Sequence, residues 1–257
     1  MSMMIDRTHR LEQLLRGDVP LIAVSFSDAI PSRDIAEAKA AGLDVAELRI
    51  DRYSSHDEAY VLDHVRKFSG LPTIATIRTQ DEGGEWIGSD EDRLSLFKAI
   101  LPEVHGVDIE LSSTRILPEL VAAAKSLDRV VIVSNHNFEV TPPMEQLRQM
   151  ATDAKALGAD YVKLSAMTHS QQDVGTLAEF TVQNARLGLI VIAMGPFGGP
   201  ISRVFFPALG SRLTYAHVGH YAVSGQLDYE TTFDLLRRFY PQFDEKKIIE
   251  LRLLDDA

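Results

Sequence analysis

Eight short runs of apolar, β-branched residues recur along the chain at intervals of roughly 25–35 residues, with a helical pattern after each. They are Leu21–Phe26, Val45–Ile50, Thr73–Ile77, Val107–Leu111, Val130–Ser134, Tyr161–Leu164, Leu189–Met194 and Leu213–His217. The helical stretches are Ser32–Ala41, His56–Phe68, Asp90–Leu101, Thr114–Ser126, Pro143–Leu157, Gln171–Arg186, Ser202–Leu209 and Tyr229–Phe239. Ser89 is placed to cap the third of them, and Gly42, Gly158 and Gly188 follow others as stop signals. Eight βα units predict a closed parallel barrel. The competing open, doubly wound sheet calls for a glycine-rich turn after strand one. Here that strand runs into Ser27-Asp28-Ala29-Ile30-Pro31.

A barrel of about 250 residues is commonly one domain, so a single domain is expected over residues 1–257. Its core spans about residues 20–240, with a tail at 241–257. The stretch Gly195–Pro200 reads as a long loop between strand seven and its helix. The 26 basic against 37 acidic residues give a net charge of −11, which argues against a broad nucleic-acid surface. No apolar run approaches a membrane span, and the first 16 residues lack a signal-peptide core. The absence of cysteine removes thiolate chemistry and Cys-ligated metals and suits a reducing cytoplasm. There is no HExxH pair, GxGxxG or Walker loop, so chemistry by side chains alone, without metal or cofactor, is expected.

In a barrel, alternate strand residues face the interior, and catalytic groups gather at the strands' C-terminal ends. On strand two, Glu47, Arg49 and Asp51 share one face. They form either a structural Glu47–Arg49 ion pair or a polar ligand-binding rung. Arg78 ends strand three. Glu82 follows on a glycine-flanked loop, as a solvated acid or as a group folded over the mouth. Asp108 and Glu110 share a face of strand four. His136 ends strand five, as a structural or a catalytic histidine. Lys163 interrupts an apolar strand six. Burial alone depresses an ammonium's pKa, so a neutral nucleophilic amine is expected there, the alternatives being an edge lysine snorkelling to water or a salt bridge to strand four or five. Arg203, near the start of helix seven, is suited to clamp a carboxylate or, by the same physics, a phosphate.

Taken together, Glu47-x-Arg49, Arg78-x-x-x-Glu82-Gly83-Gly84, Ser134-Asn135-His136-x-Phe138-x-x-Thr141-Pro142, Val162-Lys163-Leu164, Ile201-Ser202-Arg203 and Gly225-Gln226 resemble the type I 3-dehydroquinate dehydratase family. The match runs from about Leu21 to Leu227. The resemblance implies a (β/α)8 barrel, often a homodimer, that dehydrates 3-dehydroquinate through an imine without metal or cofactor. It implies Lys163 as the imine-forming lysine, His136 as general acid/base and Glu82 as the acid assisting it. Ser25, Glu47, Arg49, Arg78, Arg203 and Gln226 match substrate-binding positions, and Phe138 and Met194 resemble apolar walls. The family's serine in the last turn is displaced, which leaves Ser224 as its substitute. Asn137 stands where an aspartate is common. A class I aldolase or transaldolase, a non-catalytic binding or scaffold barrel, and a phosphate-binding isomerase are the alternatives.

Overall fold

A computed structural model describes residues 10–17, 19–218 and 225–243. Eight parallel strands form the barrel: β1 (Leu21–Phe26), β2 (Val45–Arg49), β3 (Thr73–Thr76), β4 (Gly106–Glu110), β5 (Val130–Asn137), β6 (Tyr161–Met167), β7 (Leu189–Met194) and β8 (Leu213–Ala216). Their order is β7-β6-β5-β4-β3-β2-β1-β8. The seam between β7 and β8 is joined by a bridge of Leu189 to Ser211, where the Arg212 N–H donates to the Leu189 carbonyl at 2.8 Å.

The helices are α1 (Arg10–Arg16), α2 (Ser32–Ala40), α3 (Glu58–Arg66), α4 (Asp90–Ile100), α5 (Leu117–Ser126), α6 (Met144–Ala156), α7 (Gln171–Asn184), α8 (Gly195–Leu209) and α9 (Tyr229–Phe239). Ser89 caps α4, its Oγ accepting from the Asp92 N–H at 3.0 Å. The helix α1 has no counterpart among the predicted elements. It sets Leu11 and Leu15 into the inner apolar cluster with Leu21, Val45, Ile74 and Leu213. A second, larger core lies between the strands' outer faces and the helices, as the two-layer architecture requires.

Two expectations need correction. Gly195–Pro200 is not a loop: α8 begins at Gly195. Its glycines answer to packing, since a Cβ on Gly199 would stand 2.6 Å from the Gly225 Cα. Strands β5 and β6 each run three residues further than predicted, to Asn137 and Met167. They pair with each other along their polar ends, Ser134 beside Lys163 and His136 beside Ser165. Of the predicted tail, residues 244–257 lie outside the described residues.

Inner rows start apolar at the bottom of the barrel and turn polar toward the top. On β2 the row reads Val45, Glu47, Arg49; on β5 it reads Ile132, Ser134, His136; on β6 it reads Tyr161, Lys163, Ser165. The apolar half holds the barrel together by burial. The polar half builds the site.

Candidate functional site

A cavity of about 230 Å³ opens where these polar ends meet. Eleven of the sequence-predicted residues line it: Ser25, Glu47, Arg49, Arg78, Glu82, His136, Phe138, Lys163, Met194, Arg203 and Gln226. Ser224 lies outside the described residues. Arg52, Ser165, Tyr215 and His217 also line the cavity, and none of them is among the residues the sequence assigns to a site.

The Lys163 Nζ lies 2.9 Å from Asp108 Oδ2 and 3.5 Å from Glu47 Oε1. It also sits 4.3 Å from the centre of the Tyr215 ring, over its face. Each carboxylate is held from behind. Arg78 Nη2 and Ser134 Oγ donate to Asp108 Oδ1 at 2.7 and 2.6 Å. Thr76 Oγ1 donates to Glu47 at 3.0 Å, and the Ser25 hydroxyl donates to its other oxygen. Arg78 also pairs with Glu110 at 3.1 Å, and Glu110 with the fully buried Arg93. A chain of alternating charges thus runs from α4 to Lys163, and every buried charge in it has a partner.

This arrangement corrects the expected neutral amine. Burial alone would lower the pKa of Lys163, but Asp108, then Tyr215 and Glu47, raise it above the ordinary value. Lys163 rests as an ammonium. The salt bridge to strand four, an alternative left open by the sequence, is present at the same residue that faces the cavity. Burial alone would raise the pKa of Asp108; Arg78 and then Lys163 hold it well below the carboxylate range.

Glu82 is not a solvated loop acid. It is buried, at the end of a short 3-10 turn (Gln80–Glu82). Its Oε2 accepts the His136 backbone N–H at 2.9 Å and lies 3.0 Å from Nδ1. Ser112 donates to Oε1 at 2.7 Å. With Nδ1–H assigned as donor to this carboxylate, Nε2 is the basic nitrogen. Burial, then Arg78 and Lys163, push the imidazole well below its ordinary 6.5, so it is neutral near pH 7. The turn after Glu82 is sterically tight: Gly83 takes φ +75°, and a Cβ on Gly84 would stand 2.0 Å from the Arg78 carbonyl oxygen. The Phe138 ring lies roughly parallel to His136, 6.4 Å between centres.

Arg49 does not pair with Glu47 as one expectation had it. Asp51, carried out of the strand into a 3-10 turn (Ile50–Arg52), receives both arms of its fork at 3.0 and 2.7 Å. Arg203 lines the same cavity. It is buried, and its Nε and Nη1 have no hydrogen-bond partner among the described residues. Burial pulls its pKa down to about 10, so it remains cationic at neutral pH. An unpaired buried guanidinium is unfavourable unless a ligand supplies the anion, and its fork fits a carboxylate. Among the described residues, no cluster of three or more His, Asp or Glu is placed to hold a metal ion, and no helix is long and apolar enough to cross a membrane.

The family description "Type I 3-dehydroquinase" matches residues 19–241. A 3-dehydroquinate dehydratase of Methanococcoides burtonii is 35% identical over 215 residues, 82% of this chain and 91% of that protein. The crystal structure of the 3-dehydroquinate dehydratase from Aquifex aeolicus is similar at a TM-score of 0.77 and 33% identity, covering 86% of this chain and 99% of that one. A type I enzyme from Clostridium difficile, solved with covalently modified comenic acid, is similar at 0.77 and 28% identity, covering 87% and 93%.

Proposed function

Since the chain belongs to the type I 3-dehydroquinase family, we propose that its cavity dehydrates 3-dehydroquinate to 3-dehydroshikimate through an imine on Lys163. One observation carries the assignment of roles. A buried ammonium, a neutral imidazole and a guanidinium with two nitrogens unpartnered among the described residues share one cavity.

The substrate carboxylate pairs with Arg203, which brings the C3 ketone to Lys163. Nε2 of His136 takes a proton from the Lys163 ammonium. The freed amine adds to C3, and the carbinolamine oxygen leaves as water with the proton returned by the imidazolium. The iminium so formed acidifies the C2 hydrogens, because the electrons left by deprotonation delocalise onto nitrogen. His136 removes one of them. The enamine expels the C1 hydroxyl, which the protonated His136 converts to water. Hydrolysis of the product imine restores the lysine. Glu82 holds the imidazole through Nδ1 and the backbone N–H. Ser25, Glu47, Arg49, Arg78 and Gln226 bind the substrate's oxygens, and Phe138 and Met194 wall the ring.

The protein is taken to act as a homodimer in the cytoplasm, without metal or cofactor; the cysteine-free chain agrees with a reducing compartment. The direct test supplies purified protein with 3-dehydroquinate and follows the absorbance of the conjugated enone product. Conversion is expected. Folded protein that leaves this substrate unchanged, yet is inhibited by inorganic phosphate and not by quinate-like acids, would instead favour an aldolase-type barrel.

A further inference from the structure

Five titratable or charged groups surround the Lys163 amine: Glu47 of β2, Arg78 just past the end of β3, Asp108 of β4, His136 of β5 and Tyr215 of β8. Four of them line the cavity, where a ligand can engage them. Asp108 is the exception. It is fully buried beneath the cavity wall, and Arg78 and Ser134 hold its Oδ1. That leaves Oδ2 for Nζ at 2.9 Å. The sequence reading gave Asp108 no role.

We propose that Asp108 is a catalytic residue, the fixed counter-ion that keeps the lysine nitrogen protonated as an iminium during removal of the C2 proton. The inference rests on the imine reading above. The balance of the condensation explains why such a group helps. A ketone and an ammonium give an iminium and one water, so the positive charge on nitrogen is present before and after. An N–H on that nitrogen donates to Oδ2 at both stages. Only the neutral amine and the carbinolamine between them lose the pairing. Asp108 therefore slows release of the amine and favours the protonated imine, and the protonated imine is the better electron sink. A short ion pair in a dry site, fixed before the reaction starts, is the kind of electrostatic stabilisation that needs no reorganisation.

A merely structural aspartate predicts something different, and Asp108→Asn separates the two. Asparagine keeps the shape and an acceptor for Ser134, and Glu110 still pairs with Arg78. Three quantities are measured beside wild type: kcat for dehydration, borohydride-trapped Lys163 adduct from pH 7 to 9, and acylation of free Lys163 against pH by mass spectrometry. The expected result is a fall in kcat of about 10²-fold or more, the scale for losing one preorganised electrostatic contact. Trapping by Asp108→Asn declines toward pH 9, and its free Lys163 acylates at lower pH than in wild type. A kcat within threefold of wild type, or an unchanged acylation profile, overturns the proposal. Should the variant not fold, wild type alone decides: trapping that stays level from pH 7 to 9 supports it, and loss of more than half overturns it. Wild type that neither dehydrates the substrate nor is trapped sinks the imine reading, and this inference with it. An active wild type beside an unaffected variant sinks the inference alone.

Discussion

Replacing Arg203 by methionine is expected to weaken substrate binding and strengthen the empty fold. Arg203 is 4% exposed, and two of its nitrogens lack partners among the described residues. Burial takes its pKa from 12.5 to about 10. At 1.36 kcal/mol per pH unit, that drop represents about 3 kcal/mol of lost solvation of the charged form. Methionine fills much of the same channel with an adaptable apolar chain and leaves no buried charge. Water in the cavity offsets part of the penalty, so a gain of about 1–3 kcal/mol is expected. For a domain of this size that raises Tm by about 5 °C. The substrate carboxylate meanwhile loses the equivalent of one charge-assisted hydrogen bond, about 1.5–3 kcal/mol. KM should rise about 10- to 100-fold, with kcat within a few-fold, if the contact is uniform along the reaction. Calorimetry without substrate and steady-state kinetics read the two effects. A lower Tm together with an unchanged KM would mean that Arg203 serves the fold and the carboxylate binds elsewhere.

His136→Ala should lower kcat by about 10²–10⁴-fold while leaving the far-ultraviolet circular dichroism unchanged; a loss under tenfold would move the proton transfers to another group. The pH profile of kcat/KM should have its acid limb below 6.5, because burial and the cations Arg78 and Lys163 keep His136 neutral to lower pH than usual. A limb at or above pH 7 would show an imidazole more basic than this environment allows.

The eight βα units were legible because strands buried on both faces are written as continuous apolar runs, and helices show a different period. The cap at Ser89 follows from local chemistry and falls where expected. The start of α8 was hidden. Gly195–Pro200 has the composition of a loop, yet its small residues serve close packing against Gly225, a contact made by chain 26 to 30 residues away. In the site, alternation along β2 nominated Glu47, the break in an apolar run nominated Lys163, and a place at the C-terminal end of strand five nominated His136. Their protonation states were not legible. A sequence shows that Lys163 is buried, which alone predicts a neutral amine. It does not show that Asp108, 55 residues away, reaches the same nitrogen and reverses the sign. Nor does it show that burial, then Arg78 and Lys163, bring the His136 imidazole well below its ordinary pKa.

The central claim is a covalent bond between Lys163 and the C3 carbon of the substrate. Borohydride added during turnover, followed by digestion and mass spectrometry, tests it most directly. The peptide containing Lys163 should gain the mass of the reduced imine in wild type, and no lysine should gain it in Lys163→Ala. Label on a different lysine, or turnover at the wild-type rate by Lys163→Ala, would contradict the account.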